Sequence, residues 1–187
     1  MEKAGPNRPL SRKERRKNAK AKPKVTAVVE TYLQPEHMQA IGHVAAQSST
    51  LEMFLDLAIC GILDIPQSQV RALTSRHSSH NRLEVLGSLV DESIKSREAR
   101  GRFVKLAKRI SNCLVDRNNV VHATWLGTDS PEIVLRAKYT GRGKSKFVTK
   151  RMTAADIESV AKEISRTSGE LYAFMLEHEL LKSSPDS

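Results

Sequence analysis

The chain has 187 residues, 39% of them hydrophobic with a single Trp, enough for one ordinary domain whose core is lean in aromatics. Ten of the 31 Lys and Arg lie in residues 1–24 beside two Glu, so that segment holds +8 of the formal +10 and the rest only +2. The basic balance is therefore a property of the tail, and it does not by itself make the folded body a nucleic-acid binder.

Cys60 and Cys113 are the only cysteines, both among apolar residues in helical patterns, and they read as small buried hydrophobes. Neither a disulfide framework nor a metal site is expected, and no cofactor motif is present. A polar N-terminus and apolar runs interrupted short of about 18 residues predict a cytoplasmic chain without a secretory signal or membrane span.

In chain order, residues 1–24 carry Arg8, Arg12, Lys13, Arg15, Arg16, Lys17, Lys20, Lys22 and Lys24 among Pro, Gly and Asn. Such a segment cannot bury apolar surface and is predicted to be disordered in isolation. It reads either as an electrostatic arm for RNA or DNA, with Arg12, Lys13, Arg15, Arg16 and Lys17 as phosphate contacts, or as a solubilising tail. A domain is expected over 25–182, followed by a polar tail at 183–187. Val25 to Leu33 fits an extended lead-in or the first turns of a helix. Pro35 then opens a long helix to about Leu63, with Met38, Ile41, Val44, Ala45, Leu51, Phe54, Leu55, Ala58, Ile59 and Ile62 as its apolar positions. The Ser48-Ser49-Thr50 cluster is a place for it to bend.

Asp64-Ile65-Pro66 breaks the chain, Gln67 to Thr74 reads as a short helix, and Ser75 to Ser79 as a loop. Asn81 to Ile94 is a second long helix. Ser96 then caps a third that starts near Glu98 and runs into Asp116-Arg117-Asn118-Asn119-Val120-Val121-His122-Ala123-Thr124-Trp125, ending at Gly127 to Pro131. His77 and His80 do not have metal-site spacing by themselves. Beyond Pro131 the apolar period changes to two, and a β-hairpin is expected at about 132–152 around Gly141-Arg142-Gly143-Lys144-Ser145. Ile133, Leu135, Ala137 and Tyr139 share one face of its first strand, Arg136 and Lys138 the other. Arg142 and Lys144 are candidate phosphate contacts, although an edge hairpin protected by lysines has the same pattern. Thr153 and Asp156 cap a final helix with Ile157, Val160, Ala161, Ile164, Leu171, Phe174 and Met175 as its stripe. The fold class is mainly α: an antiparallel helical bundle with one β-hairpin insertion before the last helix.

The third helix holds the most informative residues. At about 100° per residue, Phe103, Leu106, Ile110, Cys113, Leu114, Val120 and Val121 fall on one side, and Arg117 projects from the same stripe. A guanidinium never deprotonates and carries five donors, so it needs a carboxylate, carbonyls or a phosphate beside it. Glu52, next to the first helix's stripe, is a candidate partner. Asn118 and His122, four apart, share a neighbouring face.

Arg117-Asn118, three residues, then His122, with Trp125 nearby, resembles the Arg-polar-x-x-x-His signature of HEPN domains, the helical modules of many toxin, phage-defence and RNA-processing ribonucleases. The Leu51-Glu52 pair and the motif's place late in the third long helix extend the likeness over roughly residues 35–126 and the final helix. Ala123 stands where related sequences often have Gly. The resemblance implies a metal-independent endoribonuclease acting on RNA at a cleft between two copies, a homodimer through the motif helix. Arg117, Asn118 and His122 are then the catalytic residues, and a toxin reading implies an antitoxin protein as partner. The competing reading is a non-catalytic HEPN-like module for RNA binding or dimerisation, with Arg117 as an ion-pair partner and His122 as a satisfied interface histidine.

Overall fold

The computed structural model describes residues 33–140 and 146–181. The basic tail, including Arg12, Lys13, Arg15, Arg16 and Lys17, and the hairpin turn with Arg142 and Lys144 lie outside the described residues.

Helix α1, Pro35–Leu63, begins at the proline that has no N–H to lose, and it ends at Asp64, whose left-handed φ of 56° lets Ile65 N–H reach back to the Cys60 carbonyl. It runs through Ser48-Ser49-Thr50 unbroken. The three hydroxyls donate to the carbonyls of Val44, Ala45 and Ala46 one turn earlier, so they are satisfied within the helix. Met38 and Ala45, expected in the apolar stripe, face solvent. The buried line is instead His37, Ala40, Val44, Ser48, Leu51, Leu55, Ala58 and Ile59. His37 is accommodated because its Nε2 lies 3.2 Å from the Glu132 carbonyl, which ties the start of α1 to the loop before the hairpin. By length and composition α1 could cross a membrane, but this buried line packs on the other helices.

Helix α2, Gln67–Thr74, has the expected bounds. Helix α3, Ser79–Ser93, starts two residues earlier than its apolar pattern, because Ser78 Oγ accepts from the Asn81 N–H and fixes the first turn there. Helix α4, Arg97–Val121, is capped by Ser96 as expected, and buries Ala99, Phe103, Leu106, Ile110, Cys113, Leu114 and Val120. Helix α5, Ala154–Glu177, carries the full capping box of Thr153 and Asp156.

In the bundle, α5 packs most extensively on α1 and also on α4, while α3 lies against both α1 and α4. The core contains Val44, Leu51, Leu55, Ile110, Ile157, Ile164, Leu171 and Met175. Aromatic contacts contributed by α4 and α5 are few, Phe103 against Phe174 being one. Gly61 is required where it stands: a side chain there would overlap the Leu180 carbonyl, because the segment after α5 crosses α1 backbone to backbone.

Between α4 and α5 lies a three-stranded antiparallel sheet in the order β1-β2-β3: β1 Thr124–Leu126, β2 Val134–Thr140 and β3 Lys146–Met152. The hairpin strands were legible, but β1 was not. The motif helix stops at Val121 rather than near Gly127, and the chain turns straight into pairing with β2.

The Thr153 backbone N–H and hydroxyl hold the Asp156 carboxyl below its ordinary range, so its share of stability is present above the usual aspartate pKa and lost as pH falls through the lowered folded value. Asp156→Asn should cost up to about 1 kcal/mol at neutral pH. In urea denaturation the gap from the wild type should close on acidification; a gap independent of pH would contradict this role for the cap.

Candidate functional site

Burial of the α4 stripe fixes the rotation of the helix about its axis, and that rotation decides where the last turn points. Cys113, Leu114 and Val120 are buried, whereas Asp116, Asn118 and His122 are exposed and Arg117 sits half-buried at the boundary. His122 closes the helix as its C-cap, its N–H returning to the Asn118 carbonyl at 3.3 Å. The three motif side chains therefore leave the bundle together, at one exposed helix end.

There they touch. Arg117 Nη1 donates to Asn118 Oδ1 at 2.9 Å and lies 3.3 Å from His122 Nε2. A guanidinium has no acceptor, so this second contact requires a lone pair on Nε2 and places the imidazole proton on Nδ1. The geometry thus sets the Nε2 nitrogen against a fixed cation. Arg117 Nε is buried without a hydrogen-bond partner, and among the described residues no carboxylate forms a salt bridge with this guanidinium. Glu52 is not the partner expected from the sequence: it accepts from Ser79 Oγ at 2.7 Å instead.

The small sheet comes back to the same place. Lys138 Nζ on β2 donates to Asn119 Oδ1 at 3.1 Å, which brings a strand cation to the last turn of α4. Trp125 on β1 is the register partner of Arg136 on β2, and Arg136 that of Lys150 on β3. Directly opposed residues share a face, so Trp125, Arg136 and Lys150 form one row, with Lys138 next to it. The expected division of the hairpin into an apolar inner face and a cationic outer face is corrected here. Val134 and Met152, on the Arg136 side, are buried, and Trp125 packs partly against the core, so Arg136 is half-buried rather than solvated. Its Nε, like that of Arg117, is buried without a partner. Sequence reasoning did not connect Arg136 and Lys138 to the motif; their alternation along the strand was visible, but the β1 pairing that turns them toward α4 was not.

The other charged clusters pair carboxylates with cations, and there Arg82 Nε is also buried without a hydrogen-bond partner. Asp56, only 5% exposed, takes Arg82 Nη1 at 3.2 Å and Thr74 Oγ1 at 3.3 Å, beside a cavity of about 320 Å3 that Ser49, Glu52, Arg71 and Ser75 also line. Along α4 and α5, Arg102 pairs with Glu177, and Arg109 with Glu163 and Glu170; these pairings hold the Glu163 and Glu177 carboxyls below their usual range. Burial pushes both thiols up, and the Cys113 S–H points to Thr167 Oγ1 at 3.5 Å, in keeping with inert packing cysteines.

Comparison with models of known families, with curated proteins and with solved structures finds no match.

The two arginine environments make opposite predictions for stability. Asp56→Ala strands Arg82 inside the bundle and should cost about 3 kcal/mol. Arg117→Ala breaks no ion pair among the described residues and should cost about 1 kcal/mol or less. Thermal and urea unfolding of the two variants measures the difference, and an Arg117→Ala loss as large as that of Asp56→Ala would make Arg117 a structural residue.

Proposed function

We propose that the protein is a metal-independent endoribonuclease of HEPN type, cutting RNA with Arg117, Asn118 and His122 at a cleft completed by a second copy of the chain. The observation that carries this reading is the exposed Arg117 to His122 contact at 3.3 Å, made by a cation with no carboxylate partner among the described residues. Attack of a ribose 2′-hydroxyl on the adjacent phosphate needs a proton acceptor, a role the His122 imidazole fills once the phosphate takes its place on the guanidinium. It also builds negative charge on the phosphoryl oxygens, which a guanidinium stabilises by its charge and hydrogen bonding. Asn118 Oδ1 accepts from the same Nη1 and helps hold the guanidinium in place.

The leaving 5′ oxygen needs a proton donor, and each chain has one His122. A second imidazole from a second copy fills that role. Supporting this, Val104 and Val115 on α4 are 62% and 48% exposed. They lie within about 20° of His122 around the helix, two exposed apolar side chains on the side of the motif, with Lys108 and Ser111 between them. A cytoplasmic toxin or phage-defence effector held by an antitoxin protein accords with this chemistry. The alternative, a non-catalytic binding or dimerisation module, is favoured by the Asn118 and His122 contacts, which give Arg117 Nη1 partners within the chain.

His122→Ala should abolish cleavage of single-stranded RNA, a loss of about 10² to 10⁴ in rate, with fold and dimer intact. Arg117→Lys keeps the charge and removes the planar fork, so it should lose most activity with little loss of stability. A His122→Ala protein that cuts as well as the wild type, or a strict monomer by light scattering at micromolar concentration, would remove the proposal and leave the binding module.

A further inference from the structure

Arg136 is half-buried, its Nε has no partner, and among the described residues no carboxylate pairs with it. Guanidinium groups in such places ordinarily have a carboxylate, carbonyl or phosphate to meet. Arg117 is in the same condition on the neighbouring element. The Lys138 to Asn119 hydrogen bond at 3.1 Å joins the two elements and sets Lys138 at the last turn of α4, with Arg136 two residues along on the same face of β2. Alternate residues of a strand stand about 6.7 Å apart, a step that an extended phosphodiester backbone can follow. Lys150 extends the row on β3, within electrostatic reach of Asp156. Trp125, beside Arg136 in register, is half-buried and packs in part against the core, which leaves an aromatic side chain adjoining the cations.

We infer that this face of the sheet is the track for the RNA strand flanking the scissile phosphate, with Arg136 and Lys138 as phosphate contacts and Trp125 as the base contact. The inference rests on the ribonuclease reading for its choice of ligand, and the test separates the two. Trp125 is the single tryptophan of the chain and lies on β1, so its fluorescence reports binding at the sheet. A short 2′-O-methyl oligouridine has no free 2′-hydroxyl and reads binding without cleavage.

Titration of the full chain with this strand should quench Trp125 saturably, and His122→Ala should quench alike. Lys138→Gln, an exposed change, should weaken binding and reduce the slope of log K against log salt by about 0.7, the loss of one single-strand phosphate contact. Arg136→Gln should weaken it further; circular dichroism checks its fold. Quenching and salt slope unchanged in Lys138→Gln, or no quenching while anisotropy of a labelled strand shows binding, would overturn the track whether or not the protein cuts RNA. If the wild type quenches, the variants do not, and unmodified RNA stays intact, the track stands and the ribonuclease proposal falls.

Discussion

The rotation of α4 is the constraint on which the rest depends. Burying Phe103, Leu106, Ile110, Cys113, Leu114 and Val120 at once leaves one rotation for the helix, and it carries Arg117 to the edge of the stripe with Asn118 and His122 outside. Each of those apolar side chains contributes on the order of 1.5–3 kcal/mol by burial, far more than the polar contacts at the helix end. The core therefore sets the geometry of the motif, and the motif does not hold the core together. Because the helix stops at His122, the chain enters β1 within two residues, and pairing with β2 returns Lys138 to Asn119.

Charge is distributed in two ways along the same helix. Arg102 and Arg109, further up α4, meet carboxylates from α5, forming a ladder across the helix seam. Arg117 lies beyond the reach of that ladder and finds an amide and an imidazole instead. Exposed pairs such as the first two add little to stability and mainly set which faces meet. An arginine placed where no carboxylate follows it is the exception, and Arg136 on the adjoining strand repeats it.

The elements with strong local signals were legible in the sequence. The α2 bounds, the Ser96 cap, the Thr153 and Asp156 capping box and the two hairpin strands follow from proline, cap residues and a change of apolar period. Features set by long-range contacts were hidden. Three residues of β1 carry too little period to be read, and only the partner strand makes them a strand. His37 takes the buried position given to Met38 because a carbonyl 95 residues away accepts its N–H. Glu52 was a reasonable partner for Arg117 by face, yet Ser79 from the next helix claims it. For the site, the Arg117, Asn118 and His122 cluster was visible in their spacing, while the strand cations beside it needed the sheet register.

The most direct test of the account is the chemistry of the ends left on RNA. Purified wild-type protein incubated with single-stranded RNA in EDTA should cut it and leave 2′,3′-cyclic phosphate and 5′-hydroxyl termini by mass spectrometry, the products of 2′-hydroxyl attack assisted by imidazole and guanidinium. Intact RNA, or fragments bearing 5′-phosphates, would contradict it.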